Sequence, residues 1–131
     1  MTHRLFIYGA LRRTALHAWR MEKGRFLGEA TVQGTLVAID WYPGLVLHGN
    51  GLVQGELWEI DDKLLAALDE FEGIGTDDRP GEYLRVTASV QCRGEVVEAL
   101  VYEWQKGIEN YRVVENGDWL TEPSAFGTPS E

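Results

Sequence analysis

The stretch Leu64-Leu65-Ala66-Ala67-Leu68-Asp69-Glu70-Phe71-Glu72-Gly73 sets the frame for the rest of the chain. At about 100° per residue, Ile60, Leu64, Leu65, Leu68 and Phe71 fall on one side of an α-helix, an apolar stripe that another layer must cover. Asp61 or Asp62 caps its start, and Gly73 stands where helices end in a left-handed C′ residue. Glu72 breaks the pattern. It projects between Leu68 and Leu65, in the last turn, where the carbonyl end of the helix opposes a negative charge. Glu70 points away, and Asp69 sits at the edge of the stripe.

The flanking sequence says what this helix packs on. Arg4-Leu5-Phe6-Ile7-Tyr8 is nearly continuously apolar, as a central buried strand should be. Gly9 breaks it, and Ala10-Leu11-Arg12-Arg13 follow as a loop. Thr14 is then placed as the N-cap of a helix carrying Leu16, Trp19 and Met21 and ending near Gly24. Short strands are expected over residues 26–32, 34–39, 45–48 and 52–60, separated by glycine turns and by the Pro43-Gly44 reversal. Residues 83–90 and 96–104 read as a hairpin around Arg93-Gly94. Regularity fades after Lys106; Gly117-Asp118-Trp119-Leu120 is the last apolar anchor, and residues 121–131 form a loose tail. Many short strands with two helices and no repeat or linker predict one α+β domain over residues 1–120, built on a closed or strongly curved sheet.

Charge narrows the partners. A net charge of −9 across 131 residues leaves no basic stripe for nucleic acid or an anionic membrane surface, so a small molecule is the better default ligand. Cys92 is single and in a strand-like run, which makes it a packing residue and suits a reducing compartment. The amino-terminal apolar run is too short for a signal peptide and no segment approaches membrane-spanning length, so a cytoplasmic location is expected.

Most catalytic sets are missing. His3, His17 and His48 are scattered, no His or Cys pair has metal-ligand spacing, and no nucleophile elbow or phosphate loop appears. Gly73-Ile74-Gly75 follows a helix and lacks a third glycine, so it is no nucleotide fingerprint. What remains is a carboxylate on an apolar face and a tight loop, Tyr8 to Leu11, whose N–H groups point outward. Burial raises a glutamate above its ordinary pKa of about 4.3 and suits it to proton transfer. The plainer reading has Glu72 snorkel to water or pair with Arg85 or Arg79, and treats Tyr83, Arg85 and Tyr102 as packing residues.

Taken together, these segments resemble a known family. Tyr8-Gly9-Ala10-Leu11-Arg12 is similar to the Tyr-Gly-(Ser/Thr)-Leu-Arg loop of the gamma-glutamylcyclotransferase-like superfamily, in particular its AIG2-like, gamma-glutamylamine cyclotransferase branch. Leu68-Asp69-Glu70-Phe71-Glu72-Gly73 resembles that family's Leu-Asp-x-x-Glu-Gly, and Tyr42-Pro43-Gly44, Gly55-Glu56-Leu57-Trp58, Tyr83-Leu84-Arg85, Val101-Tyr102 and Gly117-Asp118-Trp119 follow in the family's order.

The resemblance implies a small mixed β-barrel flanked by short helices, with a cavity between the Tyr8–Leu11 loop and Glu72. It implies release of 5-oxoproline and a free amine from a gamma-glutamyl amine or peptide, with the substrate's own α-amine as nucleophile and neither metal nor cofactor. Glu72 is the implied general acid/base. Tyr8, Gly9, Ala10, Leu11, Arg12, Tyr83 and Arg85 are the implied substrate contacts, with Arg12 assisting at the carboxylate. Ala10 departs from the usual Ser or Thr, and the loop over residues 74–82 is longer than usual. A non-catalytic small-molecule binding domain with the same pocket is the competing expectation. A protein-interaction module would instead show a broad apolar patch and no polar cavity.

Overall fold

The computed structural model describes residues 1–15, 17–73 and 81–122. Strands β1 (Thr2–Ile7), β2 (Arg25–Gln33), β5 (Leu52–Asp61), β6 (Tyr83–Cys92) and β7 (Glu95–Trp104) close a barrel in the order β1-β5-β2-β6-β7. Every pairing is antiparallel except the closing one, where β1 meets β7 in parallel at Leu5 and Leu100. A smaller sheet of β3 (Thr35–Ala38), β4 (Pro43–Val46) and β8 (Arg112–Val113) has the order β4-β3-β8, and β4 packs on β7.

The apolar run of β1 has a simple cause. Phe6 and Tyr8 join one core cluster with Val53, Leu57 and Val101, whereas Leu5 and Ile7 join a second with Ile60, Leu65 and Leu68. Alternate side chains of a strand point to opposite faces, and both faces of β1 are covered. The second cluster lies under helix α1 (Asp62–Phe71), which buries Leu65 and Leu68 against β5 and β1. Asp61 caps it by accepting from Leu64 N–H at 2.8 Å, and Gly73 terminates it at φ 83°. The 83–104 hairpin turns at Arg93-Gly94, both at positive φ, as a two-residue turn requires.

Three expectations need correction. The first helix is a 3-10 turn, Ala18–Met21, with Trp19 63% exposed. Thr14 lies at φ 73°, outside the extended conformation an N-cap needs, because the chain is still in the loop that follows β1. Pro43 and Gly44, read as a turn, begin β4 and pair with Ala38 and Val37. This strand has only β3 as a neighbour in its sheet, and an edge tolerates proline. Leu16, residues 74–80 of the long loop and the tail from 123 lie outside the described residues. Among the described residues, no helix is long and apolar enough to cross a membrane.

Candidate active site

The chain leaves β1 at Ile7 and turns at once. Arg12 N–H bonds Gly9 C=O at 3.0 Å and His17 N–H bonds Ala10 C=O at 2.7 Å, which folds residues 9–12 into a tight loop. Gly9 is required by its neighbour, since a Cβ there would come 2.7 Å from the ring carbons of Pro43. Among the described residues, the N–H groups of Gly9, Ala10 and Leu11 have no acceptor, although Ala10 and Leu11 are only 8% and 4% exposed. Buried donors without partners are costly. They line a cleft.

The cleft and the open space at its mouth together measure about 490 Å³. Its floor is buried: Phe6, Ile7, Tyr8, the Gly9–Leu11 loop, Pro43, Tyr83 and Tyr102. Its rim is the half-exposed set Trp41, Tyr42, Phe71 and Glu72. Glu72 arrives from the end of α1, where its N–H bonds Leu68 C=O at 2.9 Å. The apolar stripe delivers Phe71 and Glu72 to the cleft together. Glu72 is half-buried rather than buried, because the rim opens beside it.

Three phenols brace the floor. Tyr8 donates to Tyr102 C=O at 2.5 Å, Tyr83 to Pro43 C=O at 2.6 Å, and Tyr102 to Asp69 Oδ1 at 2.7 Å. Burial pushes Tyr8 well above its ordinary 10.0, and the negative charge of Glu72 adds to it. Tyr83 is raised by burial and then by Tyr8 and Glu72. Tyr102 is raised by burial, by its bond to Asp69, and by the charges of Asp69 and Glu72. One carboxylate therefore acts on all three rings. Phenols with raised folded pKa values contribute stability that is intact below 10.0 and lost as pH rises through the folded values. Absorbance at 295 nm should show these three still protonated in the folded chain at about pH 10.5, half a unit past the free-phenol value. Normal titration of all three with the fold intact would contradict the floor described.

Of the sequence-derived candidates, Tyr8, Gly9, Ala10, Leu11, Glu72 and Tyr83 meet in this cleft. Arg12 and Arg85 do not line it. Arg12 is 5% exposed and runs behind the loop, where Nε meets Glu56 at 3.4 Å, Nη1 meets Asp118 at 2.9 Å and Nη2 meets Glu29 at 3.3 Å. Its donors are occupied by three carboxylates, so it anchors the loop from outside the cleft. Arg85 bonds Asp69 instead of Glu72. Arg79 lies outside the described residues.

Sequence reasoning missed the aromatic rim and the buried Glu56. Trp41, Tyr42 and Pro43 read as a turn, although Tyr42-Pro43-Gly44 was among the family-like segments. Glu56 is 1% exposed and accepts from Arg13 N–H at 3.1 and 3.2 Å and from Trp58 Nε1 at 3.1 Å. Trp119 is fully buried in the core and does not line the cleft. Among the described residues, no group of three or more His, Cys, Asp or Glu side chains is arranged to hold a metal ion.

The family model described as Gamma-glutamyl cyclotransferase, AIG2-like, matches residues 5–121. The chain belongs to this family. It is 33% identical to the Gamma-glutamylcyclotransferase family protein YtfP of Escherichia coli K12 over 118 residues, 89% of this chain and 96% of that one. It is 30% identical to the Gamma-L-glutamyl-butirosin B gamma-glutamyl cyclotransferase of Niallia circulans, over 88% of this chain and 74% of that one. An AIG2-like protein from Mus musculus has the same fold, with a TM-score of 0.79 at 24% identity, covering 99% of this chain and 97% of that one. Family membership places the chain in the cyclotransferase enzyme class.

Proposed function

We propose that the cleft binds a gamma-glutamyl amine or peptide and converts it to 5-oxoproline and a free amine, with Glu72 as general acid/base. The observation that carries this is the pairing, in one cleft, of Glu72 with the N–H groups of Gly9, Ala10 and Leu11, which have no acceptor among the described residues. Glu72 takes a proton from the substrate's α-ammonium, and the freed amine attacks the γ-carbonyl carbon. A C–N bond forms, and the carbonyl electrons move onto oxygen, where the loop donors meet the oxyanion. The electrons return and the bond to the leaving nitrogen breaks as protonated Glu72 gives that nitrogen its proton; the carboxylate so freed takes the second proton still held by the attacking nitrogen and passes it to the departing amine, leaving a neutral lactam. The substrate supplies the nucleophile. Holding it curled is the main service of the floor, and proximity of this kind is worth roughly 7–11 kcal/mol in well-oriented cases.

Because Arg12 is engaged elsewhere, the substrate's anionic oxygens rely on the backbone donors. Ala10 contributes its N–H and no hydroxyl. Tyr8 and Tyr83 shape the floor as neutral phenols, and Arg85 holds Asp69, which in turn fixes Tyr102. The competing reading, a binding domain without turnover, keeps the cleft and loses the chemistry. A cleft that sets a carboxylate against backbone donors counts against an interaction module.

Incubation with a panel of gamma-glutamyl amides, with 5-oxoproline and glutamate both quantified, tests this. The expected result is 5-oxoproline equimolar with free amine. Glutamate as the product would mean that water attacks and would overturn the cyclisation; binding without any product would favour the non-catalytic reading.

A further inference from the structure

Resting on that reading, the rim of the cleft identifies which amine leaves. The reacting atoms sit between the loop and Glu72, so the departing group must extend outward past Trp41 and Phe71. These two rings are not isolated. His17 stands against both, 5.3 Å from Trp41 and 5.0 Å from Phe71 between centroids, and Trp19 lies 6.5 Å beyond it. Trp19 is 63% exposed. The guanidinium of Arg20 sits 4.1 Å above the Phe71 ring and 4.4 Å above Trp19. It has no carboxylate partner among the described residues, in a chain of net charge −9. Its Nε instead meets His17 Nδ1 at 3.5 Å.

We infer that the cleft is selective for gamma-glutamyl conjugates of aromatic amino acids, with the leaving residue's ring on the Trp41–Phe71 rim and its carboxylate facing Arg20. Aromatic edges and faces prefer a further ring to an aliphatic or hydrated group. An anion near a half-buried guanidinium with no carboxylate partner among the described residues is favoured, whereas a cationic leaving amine would be opposed by the same charge. His17 leaves Arg20 as the cation here, since burial and the Arg20 charge both lower its pKa from 6.5.

Calorimetric binding to the full chain carrying Glu72→Gln separates this from catalysis. Gamma-glutamyl-phenylalanine should bind about tenfold more tightly than gamma-glutamyl-alanine. It should also bind about threefold more tightly than gamma-glutamyl-phenethylamine, which lacks the carboxylate. Trp41→Ala should draw the first ratio toward unity, and Arg20→Gln the second. Equal affinities in the unsubstituted rim, or no binding of any of the three, would overturn the inference. A preserved aromatic preference with no 5-oxoproline released by the wild-type chain would sustain the subsite and defeat the cyclotransferase reading.

Discussion

Glu72→Gln should lower kcat for 5-oxoproline release by roughly 10²–10⁴-fold, the range for loss of a positioned acid/base. The amide keeps the shape of the side chain but cannot take the ammonium proton or return one to the leaving nitrogen. Glu72 ends α1, where the helix dipole disfavours a negative charge, so the helix end itself should lose nothing with it. Steady-state rates and a thermal melt on one preparation separate the two effects. A loss below tenfold would remove Glu72 from the chemistry, and an unfolded variant would show that its role is structural.

The second large effect lies behind the cleft. Arg12→Ala should destabilise the fold by about 3–5 kcal/mol, because it strands a carboxylate that no water reaches. Glu56 is 1% exposed and would retain Arg13 N–H, Trp58 Nε1 and, as its one cation among the described residues, the half-exposed Arg13 guanidinium at 3.8 Å. Arg12 also ties the loop to Asp118, which accepts from Leu120 N–H at 3.1 Å, so the loop is fastened to both β5 and the carboxyl-terminal turn. Urea unfolding measures this directly. A change below about 1 kcal/mol, the value for an exposed pair, would contradict the buried network. KM for any accepted substrate should rise as well, since the donors at Gly9, Ala10 and Leu11 lose their backing.

The parts of this architecture that local pattern encodes were readable. The α1 stripe, its Asp61 cap and Gly73 stop obey one helical period, and the Arg93-Gly94 hairpin is written in adjacent residues. Glu72 stood out because its neighbours made it an anomaly. Glu56 did not. The segment Gly55-Glu56-Leu57-Trp58-Glu59-Ile60 alternates like a half-solvated strand, yet Glu56, Trp58 and Ile60 are buried along with Leu57, because β5 is covered on both faces. What makes a buried glutamate tolerable is Arg12, 44 positions away, and no local period reports that. For the same reason Arg12 looked like a substrate ligand. It is the strongest basic feature of the loop, and only the barrel closure reveals that three carboxylates converge on it. The aromatic rim was hidden because Trp41 and Phe71 come from segments read separately as a turn and a core face.

The central claim is that the Gly9–Leu11 donors and Glu72 hold one substrate between them. A crystal structure of the Glu72→Gln protein with an intact gamma-glutamyl-phenylalanine tests it most directly. The γ-carbonyl oxygen should lie within hydrogen-bond distance of the Gly9–Leu11 N–H groups, with the α-nitrogen beside residue 72. A ligand seated outside the cleft, or one whose α-nitrogen points away from residue 72, would contradict it.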